Sequence, residues 1–159
     1  MDRVDYLIEK LNLEPLDIEG GRFSVAFRSP RVIDTLDKRG KRIAVSGIFF
    51  LLTKGEVSRL HRVKSDEIWH FYEGAPVELF IVEEKSLTLK RVVLGDVSEN
   101  TLPMAFVPAN SWQCARSLGE YSFVGCNVAP GFEYSDFELP DEKTIEKIIK
   151  LYPDLKDFA

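Results

Sequence analysis

Residues 61–74 read HRVKSDEIWHFYEG. They hold both histidines of the 159-residue chain, His61 and His70, together with Asp66, Glu67 and one of its two tryptophans, Trp69. Alternate side chains of a strand share a face, so His61 points with Val63. After a turn at Lys64-Ser65-Asp66, the returning strand points Glu67, Trp69 and Phe71 together. If that face is a barrel interior, one imidazole, one carboxylate and one indole meet there. Ile68 and His70 take the other face, unless a bulge at the turn exchanges the two sets. An imidazole and a carboxylate on facing strands can hold a divalent ion such as Zn, Fe, Ni or Mn. They can equally form a proton-transfer pair, with the carboxylate orienting the imidazole. The plain alternative is a structural hairpin whose polar groups are satisfied.

On either side of this stretch the chain is strand-like, with short runs rich in Val, Ile, Phe, Thr and Tyr broken by Gly, Pro, Asp and Asn. The runs are 22–28, 42–52, 56–63, 67–73, 76–83, 86–94, 104–108, 111–117, 121–129 and 132–138. So many short strands joined by tight turns predict an antiparallel sandwich or barrel. No alternation of strand and helix supports a parallel nucleotide-binding sheet. Helical spacing appears only at the ends. Val4, Leu7, Ile8 and Leu11 follow Asp2, and Ile145, Ile148, Ile149 and Tyr152 follow Asp141 and stop at Pro153. The polar segment 29–40 is the one long connection, a lid or a simple loop, and Pro130-Gly131 predicts a tight turn before the last strand.

Length predicts a single domain over 1–159. With 45% apolar and 30% charged residues and a formal charge of −5, the composition is that of a globular protein. Lys and Arg are dispersed, which argues against nucleic acid as a partner. No apolar window approaches membrane-spanning length, and the charged N-terminus MDRVDYLIEKLNLEP lacks a leader's apolar region. Cys114 and Cys126 are too few for a disulfide framework and lack metal spacing. Buried thiols in a cytoplasmic protein are expected, with a regulatory thiol pair as the alternative.

Gly55, His61, Glu67 and Gly74 stand as G-x5-H-x-V-x3-E-x6-G, which resembles the first motif of the cupin superfamily with Val63 in place of its second histidine. Pro108-Ala109-Asn110-Ser111-Trp112-Gln113 resembles the second motif, with Asn110 in the glycine place and Gln113 in the histidine place. A longer resemblance is to a cupin-like family described as predicted sugar epimerases. It is carried by EGGRFSVAFRS (19–29), SRLHRVKSDEIWHFYEGAPVEL (58–79), VPANSWQCAR (107–116) and VGCNVAPGFEYSDFEL (124–139). The resemblance implies an all-β double-stranded β-helix, the cupin jelly-roll barrel, with short N- and C-terminal α-helices and a pocket at one mouth. It also implies a homodimer, with the last strand or the N-terminal one pairing across the interface. Metal-binding cupins offer three histidines and a glutamate. This chain keeps His61 and Glu67, with Gln113 as a neutral oxygen donor, so no cofactor is expected beyond a weakly held divalent ion.

Three readings of function follow. The first is epimerase or isomerase chemistry on a small oxygenated substrate, a sugar or hydroxy acid. It would use His61 as base, oriented by Glu67, with Tyr72, Tyr121 or Tyr134 as acid. Arg28, Arg62 or Gln113 would bind developing charge, and Trp69 and Trp112 would wall the pocket. The second is a binding module without turnover. The third is a metal-dependent enzyme on His61, Glu67 and Gln113, joined by His70. The shared label is an analogy of fold, and fold alone does not carry function.

Overall fold

Strands dominate because β-branched and aromatic residues alternate with polar ones through most of the chain. The computed structural model describes residues 1–159. In chain order the elements are α1 (Arg3–Leu11), β1 (Glu14–Pro15), β2 (Arg22–Arg28), β3 (Val32–Asp34), β4 (Lys41–Ile43), β5 (Ser46–Thr53) and β6 (Val57–Val63). They continue as β7 (Asp66–Gly74), β8 (Val77–Val82), β9 (Leu89–Leu94), β10 (Met104–Val107), β11 (Trp112–Ser117), β12 (Tyr121–Ala129), β13 (Phe137–Glu138) and α2 (Glu142–Leu151). A 3-10 turn at Tyr134–Asp136 precedes β13, and a 3-10 segment, Pro153–Phe158, follows α2.

Two antiparallel sheets face each other. One has the order β1-β2-β5-β12-β7-β10, the other β13-β6-β11-β8-β9. This is the jelly-roll barrel, and it places β6 and β7 in opposite sheets. The segment 61–74 is therefore not a paired hairpin. Lys64 and Ser65 carry the chain from one wall of the barrel to the other.

Alternation sorts the apolar residues into three layers. Phe50, Leu52, Trp69, Leu79, Ile81 and Val124 fill the space between the sheets. Leu60, Phe80, Trp112, Cys114, Ile148 and Phe158 pack the outside of the five-stranded sheet beneath α2 and the C-terminal 3-10 segment. Leu7, Leu13, Leu51 and Phe123 pack the outside of the six-stranded sheet beneath α1. Both helices begin on an aspartate cap: Asp2 accepts from the Asp5 amide at 2.8 Å and Asp141 from the Thr144 amide at 2.8 Å. Cys114 and Cys126 lie in different sheets and different layers, which separates the two thiols considered as a pair.

Two expected strands are divided. Run 42–52 breaks after Ile43, because β4 pairs with β3 in a separate small hairpin made from the long polar segment. Run 132–138 keeps only Phe137–Glu138 as strand. Its remainder turns so that buried Asp136 can take Arg42 through two hydrogen bonds of 2.8 and 2.9 Å and Arg39 through one of 3.0 Å. Arg39 also donates to Ser65 Oγ at 2.9 Å. The β3–β4 hairpin is thus clasped to the turn before β13 through one carboxylate, and 29–40 is neither an open lid nor a free loop.

Candidate functional site

A cavity of about 150 Å³ opens at one end of the barrel. At its inner end lie His61, Val63, Glu67, Cys126 and Val128, all buried, and at its rim Ile18, Val25, Arg28 and Tyr134, all exposed. Leu60 and Arg62 turn outward on β6, so parity sends His61 and Val63 inward, and β7 does the same for Glu67, Trp69 and Phe71. His61 and Glu67 reach the cavity from opposing sheets.

The His61 ring is fixed on two sides. Its Nδ1 lies 2.5 Å from the Arg59 carbonyl oxygen, and the ring stacks on Phe137 with centroids 5.3 Å apart. A carbonyl only accepts, so Nδ1 carries the proton and Nε2 faces the cavity. Nε2 is 3.7 Å from Glu19 Oε1. The backbone carbonyl of Arg59, and not Glu67, orients the imidazole.

Glu19 is itself held. Its Oε1 accepts from Ser58 Oγ at 2.5 Å, and its carbonyl accepts from the Arg59 amide at 2.8 Å. Next to it Gly20 has φ +111°, and a Cβ there would run into the Val57 carbonyl oxygen. Only glycine lets the chain come close enough to β6 to deliver Glu19 beside His61. The Gly20-Gly21 pair after an acid was the one signal for Glu19 in the sequence.

Glu67 is buried, and burial raises its carboxyl from 4.5 to about 7. His61 opposes the rise, neighbouring Glu19 adds to it, and a hydrogen bond from Gln113 opposes it. Gln113, level with His61 on the adjacent strand, donates from Nε2 to Glu67 Oε2 at 3.2 Å. Its Oε1 accepts from the Trp69 indole at 2.9 Å. Because an indole can only donate, the Gln113 oxygen is committed to Trp69 and its N–H group to Glu67. Cys126 also lines the cavity, and burial pushes its thiol well above the ordinary range, so it stays neutral.

The donors do not make a metal cup. Val63 offers an apolar side chain, Gln113 presents an N–H where a ligand needs a lone pair, and His70 points to the outer face, where Nε2 meets Asn127 Oδ1 at 2.7 Å. No three His, Cys, Asp or Glu side chains share a geometry that could hold an ion.

Several residues expected at the site lie elsewhere. Tyr72 is on the outer face of β7, half exposed, against Phe49 and Phe123. Tyr121 donates to Glu73 Oε2 at 2.9 Å, beside the Arg3–Glu73 ion pair that fastens α1. Arg62 is outside the five-stranded sheet, paired with Glu138 and Glu84, its guanidinium 4.4 Å from the Trp112 ring centroid. Trp112 belongs to the layer beneath α2. Trp69 is inside the barrel, packed edge-on to Phe50, and touches the site through Gln113. Arg28 is at the cavity rim, and of the three tyrosines considered as acid only Tyr134 lines the cavity.

In Asn110, φ is +68°, the left-handed conformation that the glycine of the second cupin motif supplies and that asparagine tolerates. Sequence and structure thus agree on a cupin barrel with an altered ligand set. A sequence model described as Cupin superfamily (DUF985) matches residues 5–140, and the chain belongs to that family. A protein of Shewanella oneidensis is 30% identical, with a TM-score of 0.86 over 100% of this chain and 98% of its own. A hypothetical protein from Leishmania major is 28% identical, with a TM-score of 0.85 over 99% of this chain and 97% of its own. A cupin 2 conserved barrel domain protein from Rhodopseudomonas palustris shares the fold at 17% identity, with a TM-score of 0.60 over 92% of this chain and 85% of its own. No curated protein matches the chain in sequence. No helix is long and apolar enough to cross a membrane.

Proposed function

We propose that the cavity binds a small oxygenated molecule, a sugar or hydroxy acid or its keto form, and moves a proton on it without a metal. The observation that carries this reading is Glu67, a buried carboxyl that burial raises to about 7, lining the same cavity as the free Nε2 of His61. A general acid/base works best when both of its forms are present at the working pH. Ionised Glu67 takes a proton from the carbon beside a carbonyl. When Nε2 of His61, beside Glu19, is protonated, it donates to the carbonyl oxygen as the enol forms. Epimerisation then needs a proton from the opposite face, for which Tyr134 is the tyrosine that lines the cavity, while His61 takes back the enol proton. Return from Glu67 to the adjacent carbon of an enediol gives an isomerisation.

Deuterium wash-in tests it. Incubation in deuterated buffer with a panel of keto-sugars and keto acids, followed by NMR, should show exchange beside a carbonyl that is lost in His61→Ala and Glu67→Gln. Saturable binding with no exchange in any member would leave a binding module in place of an enzyme.

We propose further that the protein is a homodimer. β1, β10, β13 and β9 are the edge strands of the two sheets, each paired on one side only, and of these the interface is assigned to β10. There Met104 and Phe106 are about half exposed beside exposed Leu102, an apolar row of the kind that associating surfaces present.

A further inference from the structure

We propose that the ligand is an amphiphilic monocarboxylate, its carboxylate held by Arg28 at the rim, its body apolar, and a single carbonyl or hydroxyl oxygen at the inner end. The proposal rests on the reading above, that the cavity takes a small oxygenated molecule, and decides its class and orientation.

The wall composition sets the body. Eleven of the seventeen residues around the cavity are hydrophobic. A monosaccharide carries a hydroxyl on nearly every carbon, and each hydroxyl buried without a partner is costly. Few partners exist. Ser46 Oγ accepts from the Phe132 amide at 2.9 Å and keeps one proton to donate, and Gln113 is spent between Trp69 and Glu67. The remaining inner polar groups, Glu19, His61 and Glu67, can serve one or two oxygens.

Charge sets the direction. Two carboxyl groups, Glu19 and Glu67, line the cavity, and a ligand carboxylate beside them would meet like charge in a poorly solvated space. Arg28 is the only lysine or arginine around the cavity. It is exposed at the rim, and while its backbone pairs with Ser46 of β5, its guanidinium makes no hydrogen bond or ion pair within the chain. A guanidinium free on that side, with its five donors, matches a carboxylate in two parallel hydrogen bonds. An acid therefore enters neutral end first, lays its chain on Phe23, Val25, Ile48 and Phe132, and leaves its charge at the mouth.

The test is calorimetric titration of the full chain with 5-oxohexanoate, its methyl ester, glucose and rhamnose. 5-Oxohexanoate is expected to bind at least tenfold more tightly than its ester. Arg28→Gln, an exposed change, should abolish that preference while leaving ester binding within about twofold. The two sugars should not bind. Absence of 5-oxohexanoate binding, equal binding of acid and ester, or sugar binding indifferent to Arg28→Gln would each overturn the proposal. Deuterium incorporation next to the ketone of 5-oxohexanoate is read in the same samples. Arg28-dependent binding without incorporation would remove the proton-transfer reading and leave the ligand class standing.

Discussion

Trp69 and Gln113 are joined across the barrel interior: the indole N–H donates to the amide oxygen at 2.9 Å, from one sheet to the other. This single bond decides which end of the amide Glu67 meets, and so whether the carboxyl faces a donor or an acceptor. Trp69→Phe removes the donor and leaves a buried oxygen without a partner. Thermal and urea unfolding should show a loss of about 1–3 kcal/mol for the unpaired oxygen, on top of the change in packing volume.

Glu67 gives the fold a pH dependence of known sign. Its carboxyl is raised from 4.5 to about 7, so between these values the native state binds a proton that the unfolded chain does not. Its contribution is full below pH 4.5 and is lost as pH rises through 7, a span of about 3 kcal/mol. Glu67→Gln carries no such titration. Unfolding free energies taken at pH 5, 6, 7 and 8 should show the variant gaining on the parent protein as pH rises.

Asp136 behaves in the opposite sense. Its hydrogen bonds from Arg42, and then the charge of Arg39, hold its carboxyl below the ordinary 3.8, so its contribution is present above that value and disappears as acid is added. Asp136→Ala takes the shared carboxylate from two guanidinium groups that are themselves about 10% exposed, leaving Arg39 with Asp37, and Arg42 with Glu133 at 3.7 Å, as acidic partners. A loss of about 3 kcal/mol is expected. Hydrogen exchange should quicken first at the amides of Thr35 and Ala44, which close the β3–β4 hairpin on the Gly40 and Arg31 carbonyls.

Gly20→Ala places a side chain at φ +111° against the Val57 carbonyl and should destabilise by more than about 1 kcal/mol. Glu19 should withdraw from His61 in the surviving fold. With only two histidines in the chain, NMR of the imidazoles reads this directly: the Nε2 resonance of His61 should move while those of His70 stay in place.

The assembly state is open to sedimentation. The parent protein should sediment as a dimer, and Met104→Glu combined with Phe106→Glu should give a monomer with unchanged far-ultraviolet circular dichroism. A parent protein that stays monomeric at every concentration would dispose of the dimer.

Strand parity alone placed His61, Val63, Glu67, Trp69 and Phe71 inside the barrel, and the same rule, applied to Arg62 and Trp112, would have placed them outside with no further information. Those two, with Tyr72 and Tyr121, were chosen for their chemistry, and position overrode it. Tyr72 shares its face with His70, and Tyr121 serves the Arg3–Glu73 pair, 48 residues from its partner in sequence. The crossing at Lys64-Ser65 was illegible because a two-residue link between alternating runs has the form of a hairpin turn. What separates the two strands is their pairing, β6 with β11 and β13 in one sheet and β7 with β12 and β10 in the other. Glu19 opens the EGGRFSVAFRS stretch but lies outside the two cupin motifs, and its place beside His61 comes from the approach of Gly20 to β6, which no motif spacing encodes.

That position of β12 governs the order in which the molecule can be made. Its nine residues, 121–129, bond β5 on one side and β7 on the other, so during synthesis the earlier strands of this sheet have no shared neighbour until three-quarters of the chain has emerged. Closing such long segments is slow. Until then the inner faces of β5 and β7, including the wall that carries Glu67, stay wet, which makes the nascent chain dependent on a late strand and vulnerable to any truncation ahead of residue 121.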